Sequence, residues 1–291
     1  MLGVLGGSGV YTIDGLSGAR FEKVETPFGA PSDSILVGDL AGSPVAFLPR
    51  HGRGHRIPPS EINYRANIDA LKRLGATDLV SVSACGSLRE DLAPGTFVLV
   101  DQFVDRTARR AASFFATGCV AHVSMARPVC SRLGDLLEAA ARARGIPVVR
   151  GGTYLAMEGP HFSSRAESEL YRSWRCDVIG MTNMPEAKLA REAELCFASV
   201  AMVTDYDCWH AEHGPVEVGD IVRLLAANAD RARKLVAVAA RGFLPRPSPC
   251  PQGCDRALEN AIITAPEARD PECLARLDAV AGRVLDPRAR R

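Results

Sequence analysis

The 291-residue chain has almost no net charge, since 35 basic residues meet 34 acidic ones to leave +1 at pH 7. Proteins that work on nucleic acid or on anionic membrane surfaces carry a basic bias, so this balance argues against both partners. Nor is there an apolar stretch of the roughly 18 residues that a bilayer span requires. The first residues, Met1 to Gly9, lack the basic segment and following apolar segment of an export signal, so the expected location is cytoplasmic. Internal repeats and low-complexity tracts are missing as well, which excludes solenoid and fibrous architectures. Cysteine, by contrast, is plentiful. The nine cysteines are an odd number, and several, such as Cys85, Cys176 and Cys196, sit in apolar segments. They read as buried free thiols. Cys250 and Cys254 lie in a Pro/Gly-rich stretch whose nearest histidine is His213, so a metal would lack further ligands nearby. A local disulfide is the alternative there.

Strand patterns alternate with helical ones along the chain. Leu2–Leu5, Ser34–Leu40, Pro44–Pro49, Asp78–Ala84, Thr96–Phe103 and Asp177–Met181 read as strands, as does the apolar run Cys196–Val203. Ile146–Met157 reads as extended chain broken at Gly151-Gly152. Helical patterns cover Ser60–Leu74 with Ser60 as cap and Gly75 as stop, then Leu133–Arg144, Ser164–Trp174, Pro185–Glu194 and Val218–Arg241. The expected fold is α/β, a single domain with a mixed central β-sheet flanked by helices. Residues 1–243 form the catalytic body. Residues 244–291 form a Pro-rich linker and a helical extension that packs on the body or on a neighbouring subunit.

The chemistry begins at Thr204-Asp205-Tyr206-Asp207-Cys208-Trp209, where two carboxylates follow the end of a buried strand. Open α/β sheets bind ligands at such strand ends. Paired carboxyl groups suit the edge of a 6-aminopurine, one giving a proton to N7 and the other accepting from the exocyclic amine. A plain strand-to-helix turn capped by Asp207 is the bland reading.

Several loops favour anions. Gly6-Gly7-Ser8-Gly9 follows the first strand and does not fit the G-x-G-x-x-G spacing of a dinucleotide fold. Arg50-His51-Gly52-Arg53-Gly54-His55 is dense in donors, and a merely exposed basic loop would explain only Arg53 well. Ser83-Ala84-Cys85-Gly86-Ser87-Leu88 reads as a small-residue turn with hydroxyls, and Thr182 follows another strand. Together these strand ends converge on one anion, such as inorganic phosphate.

With these residues in view, the chain resembles the S-methyl-5′-thioadenosine phosphorylase family, within the trimeric purine nucleoside phosphorylases. The likeness is carried by Gly6-Gly7-Ser8-Gly9, Thr26 to Asp33, Arg50-His51-Gly52, Ala84 to Glu90, Asp101 to Thr107, Glu158 to Glu167, Met181 to Glu186 and Thr204 to Trp209. It runs in register from residue 2 to about residue 240. The resemblance implies the nucleoside phosphorylase fold and phosphorolysis of methylthioadenosine to adenine and 5-methylthioribose 1-phosphate. It implies a phosphate site of Ser8, Arg50, His51, Ser83, the Ala84 backbone and Thr182. The ribose would lie on Met181 and the base near Phe162 and Ser163, with Asp205 at N7 and Asp207 at the amine. Val218, Ile221 and Val222 would meet the 5′-methylthio group, and His122 would arrive from an adjacent subunit of a homo-oligomer, trimer or hexamer. Phosphate would be a co-substrate, with no cofactor, no metal and no protein nucleophile.

The chain departs from that pattern in three places. Ser8 and Ser83 stand where many members carry Thr, keeping the hydroxyl, and His161 replaces a common Arg. The tail beyond residue 245 differs most, which leaves the outer wall of the 5′ pocket open. Two rivals remain in the same class of chemistry. A broader purine nucleoside phosphorylase acting on adenosine or 6-oxopurine nucleosides would tolerate other bases, although a 6-oxopurine calls for a neutral side chain at Asp207. A hydrolytic nucleosidase would not need Arg50, His51 and the hydroxyl loops.

Overall fold

The computed structural model describes residues 1–7, 15–210, 218–243 and 246–285, with backbone only over 218–223. Among the described residues, eleven strands form one branched sheet. They are β1 (Leu2–Gly6), β2 (Leu16–Glu22), β3 (Ile35–Leu40), β4 (Ser43–Pro49), β5 (Asp78–Ser87), β6 (Phe97–Val100), β7 (Gln102–Asp105), β8 (Val148–Arg150), β9 (Thr153–Ala156), β10 (Val178–Gly180) and β11 (Cys196–Asp205). The helices are α1 (Tyr64–Arg73), α2 (Ser131–Ala143), α3 (Arg165–Ser173), α4 (Asn183–Glu192), α5 (Val218–Arg241), α6 (Pro271–Arg276) and α7 (Asp278–Leu285). Among the described residues, no helix is long and apolar enough to cross a membrane. The expected mixed sheet flanked by helices is what is found.

The sheet forks at β5. Its first half pairs in parallel with β1 on one side, and nearly all of its length pairs in parallel with β11 on the other. Past the end of β1 the free edge of β5 is taken by β10, which runs antiparallel at Gly86 and Ser87. One branch then continues β11-β6-β8 and the other β10-β9-β7. The fork opens a cleft at the carboxyl ends of β5 and β11.

Several expectations are corrected here. Ser83 to Ser87 is not a turn but the far half of β5, held extended by β11 and β10 on its two edges. Thr96–Phe103 is two strands, because β6 and β7 belong to different branches and separate at Asp101. Helix α1 begins at Tyr64, since Asn63 Oδ1 accepts from Ala66 N–H at 3.1 Å while Ser60 Oγ donates instead to the carbonyl of Glu158. The strand β2 is an addition; most of its residues are exposed, so its sequence carries no burial pattern.

The chain beyond residue 245 packs back on the body. Leu258, Leu277, Val280 and Ala281 are buried in the same apolar cluster as α1 and β5 residues such as Ile68, Leu71 and Leu79. Arg73 of α1 is paired with Asp278, and Arg283 with the buried Glu194 at 2.6 Å.

Candidate active site

A cavity of about 500 Å³ lies in the fork, lined by the ends of β1, β4, β5, β10 and β11 and by the segments around 55–59 and 157–162. Gly7, Arg50, His51, Ser83, Ala84 and Thr182 lie along one part of it; Gly86, Phe162, Ile179, Asp205 and Asp207 lie along another. Strand β5 connects the two groups, from Ser83 to Gly86.

Arg50 follows β4 and is fully buried. Its guanidinium forms a forked ion pair with Glu186 and donates to Ser81 Oγ at 2.7 Å and the Val82 carbonyl at 3.1 Å. Burial opposes its charge, but Glu186 outweighs that and holds the group ionised. Among the described residues Nη1 makes one bond, to the Val82 carbonyl, and Arg50 lines the cavity. His51 donates from Nδ1 to the Ile57 carbonyl at 2.8 Å and stacks on His55 with ring centroids 4.2 Å apart. Burial, with the adjacent Arg50 charge, pushes His51 down to about 4. The ring is therefore neutral at pH 7 with its lone pair on Nε2. This qualifies the sequence reading of His51 as an anion donor: it donates to phosphate only on taking up a proton, and otherwise accepts from a phosphate hydroxyl. Ser83 Oγ accepts from Asn183 Nδ2 at 3.1 Å, and Thr182 is buried with no capping bond to α4.

At the other part of the cavity, β11 ends in a bulge: Val203 is opposite Cys85, and Asp205, two residues on, is opposite Gly86. The extra residue, Thr204, bonds the Cys85 carbonyl at 3.1 Å and turns Asp205 to face β5. Asp205 accepts from Thr204 Oγ1 at 2.7 Å and from Asp207 N–H at 2.8 Å. Burial nevertheless raises its carboxyl above the usual range. Asp207 sits at φ 52°, a conformation that costs a non-glycine residue energy, with a side chain only 6% exposed. Burial raises its carboxyl too; the Ser168 hydroxyl opposes this, and the Asp205 charge adds to it. Ser168 Oγ makes no well-formed hydrogen bond to it, and Asp207 Oδ2 has no partner among the described residues. Gly86 leaves room for the pair, because a Cβ there would stand 2.8 Å from Asp205 Oδ1 and 3.3 Å from Asp207 Cβ.

The remaining expected residues divide. Met181 lines the cavity, and Phe162 lines it while 51% exposed. Ser163 is buried just behind, its Oγ 3.8 Å from Met157 Sδ. His122 is exposed and outside the lining, with its N–H on the Ala261 carbonyl at 2.8 Å. Ser8 lies outside the described residues, as do the side chains of Val218, Ile221 and Val222, whose backbone belongs to α5. Asp207 is no helix cap. Arg53, by contrast, is the exposed surface residue its loop allowed, paired with Asp33 at 2.8 Å.

The phosphorylase superfamily model matches residues 1–241. The chain belongs to that superfamily. It is 66% identical over 285 residues to an S-methyl-5′-thioadenosine phosphorylase of Cereibacter sphaeroides, covering 98% of each chain. It is 63% identical to the Bradyrhizobium diazoefficiens protein of the same name, again covering 98% of each. Among solved structures it resembles a methylthioadenosine phosphorylase from an antarctic soil metagenomic library, with TM-score 0.89, 46% identity and coverage of 96% and 98%. It also resembles the methylthioadenosine phosphorylase of Schistosoma mansoni in complex with adenine, with TM-score 0.85, 36% identity and coverage of 90% and 98%.

In this phosphorylase-superfamily chain two residues that sequence reasoning passed over hold the site in shape. Glu186 fixes Arg50 from α4, far away in sequence. Arg110, one of three arginines in a loop, is buried and donates to the carbonyls of Met181, Met184 and Glu158 and to the Tyr64 hydroxyl. No local pattern distinguishes Arg110 from Arg106 or Arg109. Only the return of the 157–158 and 181–184 segments to one place does so.

Proposed function

We propose that the chain catalyses phosphorolysis of S-methyl-5′-thioadenosine, giving adenine and 5-methylthioribose 1-phosphate. The observation that carries this reading is Asp207 Oδ2, a buried acceptor without a partner among the described residues, at one part of a cavity whose other part gathers anion donors. A 6-aminopurine supplies what is lacking: its amine donates to Asp207 while N7 takes a proton from Asp205. That the Schistosoma relative was crystallised with adenine supports the choice of base. The three residues of strand from Ser83 to Gly86 span about 10 Å, which suits a ribosyl group between an anion and a carboxyl.

In this reading phosphate is held by Ser8, Arg50, His51, Ser83, the Ala84 N–H and Thr182. The ribose rests on Met181, the purine lies near Phe162 and Ser163, and the 5′ group points toward Val218, Ile221 and Val222. As the C1′–N9 bond breaks, its electron pair leaves with the purine and the sugar becomes cationic. A phosphate oxygen stabilises that charge and then bonds to C1′, while the Asp205 proton moves to N7 and neutralises the leaving group. Desolvation raises both carboxyls above their ordinary values, which favours their protonated forms relative to exposed carboxylates. The reaction so written needs no metal, protein nucleophile or cofactor beyond the co-substrate phosphate. The same reading includes a trimer or hexamer in which His122 reaches a neighbouring site, and a cytoplasmic location, supported by nine unpaired cysteines. Sedimentation checks the first; a fully active monomer would contradict it.

The test is adenine release from methylthioadenosine, 5′-deoxyadenosine and adenosine at saturating phosphate. All three should react, with kcat/KM differing by about 10–200-fold, because only a small group changes in an apolar pocket. Failure of methylthioadenosine to react while inosine does would overturn the proposal.

A further inference from the structure

We propose that Cys130, Cys196, Cys250 and Cys254 form a structural zinc site, one ion per chain. The four come from three separate parts of the chain. Cys130 stands immediately before α2, Cys196 opens β11, and Cys250 and Cys254 flank a turn in the Pro-rich segment with Gly253 at φ 66°. The expectation that Cys250 and Cys254 lack further ligands is thereby corrected, because the fold delivers two more thiols that lie far off in sequence.

All four Sγ atoms lie within 4.8 Å of one another, and those of Cys196 and Cys250 are 3.6 Å apart. Tetrahedral zinc with Zn–S of about 2.3 Å sets its sulfurs about 3.8 Å from one another. All four side chains are buried, none more than 3% exposed, which is the closed surrounding of a structural rather than a catalytic ion. Four facing thiols make poor hydrogen-bond partners for one another; Gln252 Oε1 reaches them at 3.5 Å from Cys130 Sγ and 3.9 Å from Cys250 Sγ. An apolar core would fill this space better with branched side chains.

The surrounding charge fits four thiolates and a divalent ion, which together carry two negative charges. Arg246 Nη1 is 4.0 Å from Cys196 Sγ. Arg132 faces the cluster from α2, with Cys196 and Cys130 among the groups that act on its charge; its Nη2 is paired with Asp78, and its Nε is buried without a partner among the described residues. Asp255 turns away, accepting from Cys250 N–H at 2.9 Å.

The cluster lies at the start of β11, whereas the candidate active site lies at its end. Nine residues of strand separate them by about 30 Å, so the ion has no part in the reaction. Its place is at the junction between body and tail, where it pins residues 250–254 to the sheet. Downstream of that clip, Ala121 pairs with Ile262 and His122 N–H with the Ala261 carbonyl.

The experiment is elemental analysis of the purified full chain, prepared under reducing conditions with zinc present and then desalted. One zinc per chain is expected, with four sulfur scatterers in the zinc X-ray absorption spectrum. A mercurial thiol reagent should release it as four thiols react. Cys250→Ser and Cys254→Ser should each lower retained zinc from one to below about 0.1 per chain. Zinc below about 0.1 in the unmodified chain would overturn the proposal, as would two disulfides found by mass after alkylation. Retention of full zinc by both variants, or iron in its place at one per chain, would overturn it equally.

Discussion

The two parts of the cavity are built on opposite plans. Around Arg50 the polar groups already have partners: the guanidinium is forked onto Glu186, and the neutral His51 ring is tied to a backbone carbonyl. Around Asp207 a buried carboxyl oxygen is left without one among the described residues. Donors fixed in advance can receive an anion without rearranging, which favours fast and accurate placement of a nucleophile. An acceptor left unpaired instead enforces selection, since the wrong base leaves it unpaired still. On the proposed function, one part serves rate and the other specificity.

The largest expected effect belongs to the carboxyl pair. A 6-oxopurine puts an acceptor against Asp207, so kcat/KM for inosine should fall about 10⁴–10⁵-fold below that for methylthioadenosine. Parity of the two substrates would erase the distinction between the two parts. Next is Asp205→Asn, which removes the acid. Turnover should drop about 10²–10⁴-fold with little change in phosphate KM. A raised phosphate KM with turnover intact would instead assign Asp205 to the anion.

Glu186→Gln probes the other plan. It strands a buried guanidinium, so stability should fall by about 3–5 kcal/mol, seen in urea unfolding, and phosphate KM should rise. If both hold steady, Arg50 is not organised by Glu186. Gly86→Ala is subtler: the new Cβ must displace Asp205, so turnover should fall about 10–100-fold while phosphate KM stays within a few-fold. Parallel loss of both constants would mean that the two parts of the cavity are mechanically one.

The smallest effect concerns His51. Its ring titrates near 6.5 when unfolded and at about 4 when folded. Between those values the unfolded chain binds more protons, so this residue's contribution is complete above about pH 6.5 and is lost as pH falls toward 4. The slope is at most about 1.4 kcal/mol per pH unit. His51→Gln should flatten the fall in Tm across that window, and an unchanged slope would show that the ring titrates alike in the folded and unfolded chain.

Much of this was legible in the sequence because it is local. The apolar run before Asp205 gives a buried strand, and its end lines the cavity as a strand end in an α/β sheet leads one to expect. What stayed hidden depends on distant pairing. Ser83 to Ser87 looks like a turn because its residues are small, yet β10 and β11 hold it extended, and Gly86 among them makes room for the acid pair. Glu186 and Arg110 are ordinary charges until the fold closes around them, and Cys250 and Cys254 gain two companions only in three dimensions. The bulge at Thr204, which aims Asp205, leaves no mark in composition or periodicity.

The claim that most needs testing is that phosphate, rather than water, attacks the sugar. The decisive measurement follows adenine release and sugar product from methylthioadenosine in buffer stripped of phosphate and again after phosphate is restored. The account predicts negligible release without phosphate and, on its return, one 5-methylthioribose 1-phosphate for each adenine. Release at an equal rate in both buffers, with free methylthioribose as product, would contradict it.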